Sequence, residues 1–309
     1  MLPKKISRRQ MCELGIYTCG SLLLPFDFFR NPLSALQQRS IPSSSEKIPV
    51  VGVGTWRTFD AGNNMQKRET LKQVLRNLVN QHASVIDSSP MYGSSESVAG
   101  DLSDELKIRP SLFLATKVWT TGEQAGIEQM NDSFRKMKAT VIDLMQVHNL
   151  LDVKTHLKTL YQWKEQGKIR YIGITHYLPS YYDEMQQLIQ KEKLDFIQCC
   201  YNIQTTDAEK RLLPLASDKG VAVLINRPFQ EGALFGEVSG KPLPAWTTEL
   251  GIQNWAQFFL KFILSNPSVT CVIPGTSNPN HLLENIQAGN GPLPDEKIRR
   301  RMLDYFNQL

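Results

Sequence analysis

A chain of 309 residues, 41% of them hydrophobic, can bury a sizeable core and is long enough for one large domain or two small ones. The formal net charge is +5, but Lys4, Lys5, Arg8, Arg9, Arg30 and Arg39 against Glu13 and Asp27 place +4 of it within residues 1–45. The nearly neutral remainder offers no electrostatic case for nucleic-acid binding, and past Phe26 no apolar run is long enough to span a bilayer.

The N-terminal stretch reads as a targeting segment. KKISRRQ supplies the pair Arg8-Arg9, and Met11 to Phe26 is mildly apolar and rich in small residues, with Glu13 interrupting it. This predicts a twin-arginine signal, the twin-arginine export machinery as partner, and a periplasmic protein; a basic tail on a cytoplasmic protein is the alternative. No A-x-A site marks a cleavage point, so the mature start is expected somewhere between about residues 30 and 46. We divide the chain into a signal and linker, 1–45, and one domain, 46–309. Cys12 and Cys19 fall in the leader, whereas Cys199, Cys200 and Cys271 lie in apolar strand-like runs, which predicts buried free thiols. No CxxC or histidine-spaced pair suggests a metal.

After the Ser-rich stretch Ser40 to Lys47, taken as linker, IPVVGVGTW reads as a first strand. Leu71, Val74, Leu75, Leu78 and Val79 then recur at helical spacing. VIDSSPMYGSSE, Val85 to Glu96, is a strand that stops on Asp87, with Tyr92-Gly93 five residues on. Further strand-like runs are Leu112 to Trp119, Val141 to His148, Tyr171 to Thr175, Phe196 to Tyr201, Val221 to Asn226 and Val269 to Pro274, which makes eight. Helical stretches alternate with them: Ile127, Met130, Phe134 and Met137 share a face, as do Leu157, Leu160 and Tyr161, with Gly167 placed to stop that helix. Others follow around Met185 to Ile189, Leu212 to Ala216 and Trp255 to Leu264. Strict alternation predicts a parallel sheet, and eight units predict a single-domain α/β (β/α)8 TIM barrel. Gln230 to Trp246, rich in glycine and proline, is expected to be a long loop at the functional face.

In such a barrel the strand ends assemble the active site, and three successive ends carry Asp87 with Tyr92, Lys117, and His148. Taken singly, a Tyr-Gly pair is a turn and a strand-end histidine is a structural group; an acid, a phenol, an amine and an imidazole together are a constellation. The motifs DxxxxYG at Asp87 to Gly93, Thr116-Lys117, His148 and GKIRYIGIT at Gly167 to Thr175 resemble the aldo-keto reductases over roughly Pro49 to the C-terminus.

The resemblance implies an NAD(P)-dependent oxidoreductase, monomeric, that passes hydride between a nicotinamide cofactor, NADP or alternatively NAD, and an aldehyde, ketone or alcohol. Tyr92 would be the general acid and Asp87, Lys117 and His148 would complete its tetrad. A neighbouring ammonium favours the phenolate, so Lys117 is expected to lower the Tyr92 pKa. No GxGxxG follows a strand, so the cofactor is expected across the C-terminal face of the barrel. The family's GxGTW start contributes Thr55 and Trp56 here, and Thr175, His176 and Gln198 would hold the carboxamide. Asn226 stands where many members have a stacking tyrosine, and Arg227 would meet the pyrophosphate or, alternatively, form a salt bridge at the barrel rim. Phe229, Trp56 and Trp119 are expected in the pocket wall. VIPGTSNPNHLLEN resembles the 2′-phosphate site, with Gly275, Thr276 and Ser277 toward phosphate and Glu284 and Asn285 toward adenine, although Gly275 and His281 replace basic residues. The rival functional reading is a nucleotide-binding sensor or accessory subunit with slow turnover on the same fold. A barrel hydrolase would need a second strand-end acid beside Asp87, and none is convincing.

Overall fold

A computed structural model describes residues 36–309; Arg8-Arg9, the apolar stretch and both leader cysteines lie outside the described residues. Eight strands form one parallel sheet in chain order: β3 Val53–Gly54, β4 Val85–Asp87, β5 Phe113–Val118, β6 Ile142–His148, β7 Ile169–His176, β8 Phe196–Cys200, β9 Ala222–Asn226 and β10 Cys271–Val272. Bridges Val51 to Val272 and Gly54 to Gly275 join the two edges, so the sheet closes into a barrel. Helices fill each crossover, beginning with Met65–Asn80, whose buried stripe is Leu71, Val74, Leu75 and Leu78 and whose first turn is capped by the Asn64 side chain. A last helix, Glu296–Phe306, follows the barrel and is capped by Asp295.

The strands are buried on both faces, and the two faces do different work. Residues two apart share a face. Toward the barrel axis, Val85, Phe113, Ala115, Leu144, Tyr171, Phe196, Ala222, Leu224, Cys271 and Ile273 form an inner core, separate from the larger layer between strands and helices. Continuing the same parity to the strand ends gives Asp87, Lys117, Gln146, His148, Thr175, Gln198 and Asn226. The inner face is thus apolar in its lower part and polar at its C-terminal end.

The first expected strand is divided. Lys47–Pro49 (β2) pairs antiparallel with Gln38–Ser40 (β1), Arg39 opposite Ile48, and only Val53–Gly54 enters the barrel sheet. The presumed linker is the turn of this hairpin, and its Ile41 and Ile48 complete the inner core from below. The guanidinium of Arg39 donates to the carbonyl of Leu264, the last residue of the helix Trp255–Leu264, and to that of Asn266 just beyond it, so the folded part begins ahead of the boundary at 45/46. The expected long loop after β9 also carries structure: a 3-10 turn Gln230–Gly232, a short helix Ala233–Glu237 and a 3-10 stretch Ala245–Leu250. Cys199, Cys200 and Cys271 are buried and free. Among the described residues no helix is long and apolar enough to cross a membrane, and no cluster of ligating side chains suits a metal ion.

Candidate active site

The segment that delivers the tyrosine is held from several sides. Asp87 ends β4 and the chain turns at once: Tyr92 N–H donates to the Ser89 carbonyl, and Gly93 adopts φ +60°. A side chain at Gly93 would also meet the Asp60 carboxylate, its Cβ only 2.6 Å from Cγ, so glycine is required there twice over. That carboxylate accepts from both the backbone N–H and the hydroxyl of Ser94, which fastens the turn to the loop after β3.

Lys117 Nζ, fully buried, donates to Asp87 Oδ2 and to the Ser88 carbonyl, each at 2.6 Å, and lies 5.0 Å from the centre of the Tyr92 ring. Burial alone would lower the ammonium, but the negative charge of Asp87 and the Tyr92 phenol outweigh it and the net direction is upward. The other Asp87 oxygen accepts from Gln146 Nε2 at 3.1 Å and Gln198 Nε2 at 2.8 Å. Gln198 Oε1 in turn faces the Thr175 hydroxyl and the Asn226 amide. Every polar atom of the carboxylate is therefore paired, which a buried ion pair requires.

Tyr92 departs from expectation. Burial pushes its phenol up, Lys117 pulls it down, Asp87 pushes it up again, and the net direction is upward. The hydroxyl is thus protonated at neutral pH, the form a proton donor needs. Burial and the Lys117 charge drive His148 down to about 2, so its ring is neutral. The ring meets Tyr92 edge-on at 5.7 Å and lies 6.5 Å from Trp119.

These groups open into a cavity of about 730 Å³ at the C-terminal end of the barrel. Asp87, Tyr92, His148, Thr55, Trp56, Thr175, Gln198, Asn226, Arg227, Phe229, Gly275 and Trp119 all line it, with Lys117 directly behind Tyr92. His176, Thr276, Ser277, Glu284 and Asn285 do not. His176 follows Thr175 in β7, so parity turns it to the other face, where it stacks on Tyr181 at 3.6 Å and its Nδ1 accepts the Leu178 N–H. The Thr276 hydroxyl closes a local turn with Asn278, at the head of the helix Pro279–Gln287 that carries Glu284 and Asn285. Arg227 is not free: it pairs with Glu231 at 2.7 Å and lies over the Tyr177 ring, and Glu231 also faces Arg57 at 3.6 Å.

Sequence reading passed over several residues of the site. Gln146 carried a usable signal, since it lies two residues before His148 and must share its face. Ser89, which hydrogen-bonds His148, and Glu231, placed by left-handed backbone at Arg227, Gln230 and Glu231, carried none.

The Aldo/keto reductase family model matches residues 50–301. Aldo-keto reductase YhdN of Bacillus subtilis is 25% identical over 66% of this chain, a match that spans 65% of that protein's own length. L-glyceraldehyde 3-phosphate reductase of Escherichia coli is 24% identical over 82% of this chain and 88% of its own. Among solved structures, an aldo/keto reductase from Klebsiella pneumoniae in complex with NADP and acetate superposes with a TM-score of 0.72 at 21% identity, covering 85% of this chain and 93% of that one. With the family model covering the whole barrel, and Asp87, Tyr92 and His148 lining one cavity with Lys117 behind them, the chain belongs to the Aldo/keto reductase family and is an oxidoreductase.

Proposed function

We propose that the protein interconverts small aldehydes or ketones and their alcohols, with a nicotinamide dinucleotide, NADP or NAD, as the hydride carrier. The observation that carries this reading is the buried Lys117–Asp87 ion pair behind a protonated Tyr92 at the cavity floor. The residues present fit such a cofactor: Asn226 Oδ1 and Arg227 Nε are buried without partners, and both residues line the cavity. An amide and an anionic group are the complements these atoms lack. Thr175 and Gln198 would hold the nicotinamide end, Arg227 the pyrophosphate in exchange for Glu231, and Gly275 the rim toward the adenosine end.

When bound, the cofactor supplies or accepts the hydride. The chain supplies the proton: Tyr92 passes its phenolic hydrogen to the carbonyl oxygen, leaving a phenolate and a neutral alcohol. Lys117, charged and fixed by Asp87 and the Ser88 carbonyl, stabilises that phenolate. His148, neutral, donates its single N–H to the same oxygen and orients it. In the reverse direction the alcohol's hydroxyl hydrogen returns to the Tyr92 phenolate.

Trp56 and Trp119 in the cavity wall provide the test, since cofactor entry will quench their fluorescence. NADPH or NADH is expected to bind, and addition of methylglyoxal or glyceraldehyde 3-phosphate, the substrates that name relatives of this chain, is expected to consume it. Absence of both quenching and consumption, with every small aldehyde tried, would overturn the reading.

Residues 1–45 suggest a place of action. Arg8-Arg9 ahead of an apolar stretch supports a twin-arginine signal and a periplasmic protein, exported folded because its cofactor is made in the cytoplasm. Replacing both arginines by lysine is expected to hold the protein in the cytoplasm on fractionation. An unchanged location would refute export by this route.

A further inference from the structure

Ser89 lies two residues beyond Asp87, in the turn that carries Tyr92, and is fully buried. Its hydroxyl oxygen is 2.9 Å from His148 Nδ1 and accepts the Met91 N–H at 3.4 Å, while its carbonyl is taken by the Tyr92 N–H. Among the described residues, Nδ1 is the one acceptor paired with the Ser89 hydroxyl hydrogen. A neutral imidazole carries one hydrogen, and its two nitrogens present opposite characters to the cavity according to where that hydrogen sits.

Were Nδ1 protonated, it would donate to the Ser89 oxygen, the Ser89 hydroxyl hydrogen would be left buried without an acceptor among the described residues, and Nε2 would present a bare lone pair to a carbonyl oxygen. Tyr92 and Trp119 flank the ring, but their packing does not distinguish one nitrogen from the other. We infer that Ser89 donates to Nδ1 and so holds His148 in the Nε2–H form, with its donor available to the substrate oxygen. Ser89 is a positioning residue: it acts through His148 and touches neither substrate nor cofactor. The inference rests on the reading of the cavity as a carbonyl-reducing site.

The test is nitrogen-15 NMR of His148 in the full-length protein without substrate, together with kinetics of Ser89→Ala. The wild type is expected to show the Nε2–H pattern, Ser89→Ala a mixture of both forms, and Ser89→Thr, which keeps the hydroxyl, the wild-type pattern. Losing one fixed hydrogen bond is expected to lower kcat by about tenfold in Ser89→Ala, with cofactor affinity unchanged. In a His148→Gln background, whose amide donates without help, adding Ser89→Ala is expected to cost under about twofold. An Nδ1–H pattern in the wild type, an unchanged pattern and kcat in Ser89→Ala, or equal losses in both backgrounds would overturn the inference. A tautomer that shifts as expected in a protein that reduces no carbonyl would instead count against the proposed function alone.

Discussion

Keeping His148 neutral has a thermodynamic consequence in acid. Its pKa falls from the ordinary 6.5 to about 2 in the folded protein, because burial and the Lys117 ammonium both oppose a second positive charge. Between those values the unfolded chain binds one more proton than the folded one. The stability associated with a neutral His148 is therefore fully present above pH 6.5 and is lost as pH falls toward 2. The maximum slope for one proton is about 1.4 kcal/mol per pH unit. His148→Gln removes that proton from the comparison, so urea denaturation at pH 6.5 and pH 4.5 is expected to show a smaller acid loss in the variant than in the wild type. Equal losses would mean that His148 is charged when folded.

At the scale of elements, the helix Ser95–Glu105 links the turn that carries Tyr92 to the rest of the barrel through a close backbone approach. A Cβ on Gly100 would come within 2.1 Å of the Lys136 carbonyl oxygen and 2.7 Å of Met137 Cα, neither of which can rotate away. Gly100→Ala is expected to destabilise the protein by about 3 kcal/mol or more, read as a fall in the urea midpoint. A variant within 0.5 kcal/mol of wild type, roughly the scatter of surface substitutions, would place these helices further apart.

This helix also shows what sequence reading reaches and where it stops. Met65–Asn80 was legible because its buried face is leucine and valine at helical spacing. Ser95–Glu105 was not, because it buries Ser95, Glu96, Gly100 and Ser103 beside Val98, Ala99 and Leu102, and the apolar stripe is broken by residues that read as surface. Glu96 is placed inside by the Thr116 hydroxyl, which points outward from β5 on the face opposite Lys117. The four tetrad candidates were legible because each sits at the end of an apolar run or one turn beyond it. His176, next after Thr175, falls on the other face of β7 by the same parity that places Thr175. The left-handed residues Arg227, Gln230 and Glu231, which aim a carboxylate at Arg227, belong to no pattern that residue types alone display.

Across the whole molecule, chemistry and support occupy opposite ends of one barrel. The hairpin Gln38–Ser40 and Lys47–Pro49 covers the lower end, where Ile41 and Ile48 meet Phe113, Tyr171 and Phe196. Its turn is tied to the sheet by an Arg170–Glu46 ion pair and by Ser44 at 2.7 Å from the Tyr171 hydroxyl. Ile48→Ala is expected to cost about 2–5 kcal/mol through the cavity it leaves, while kcat per folded molecule stays at the wild-type value. Thermal unfolding and active-site titration together separate the two effects; a proportionate fall in kcat would show that the lower end controls the site.

The central claim is that Tyr92 supplies the proton and Lys117 prepares it to do so. A single-turnover experiment isolates that step: enzyme preloaded with NADPH is mixed with excess aldehyde, and the near-ultraviolet absorbance of the reduced nicotinamide is followed in wild type and Tyr92→Phe. Tyr92→Phe removes one hydroxyl and leaves the cavity walls in place, so it is expected to bind NADPH as the wild type does. Its single-turnover rate is expected to be slower by roughly 10²- to 10⁴-fold, the range for removal of a general acid. A variant that binds NADPH normally and consumes it at more than half the wild-type rate would contradict the account.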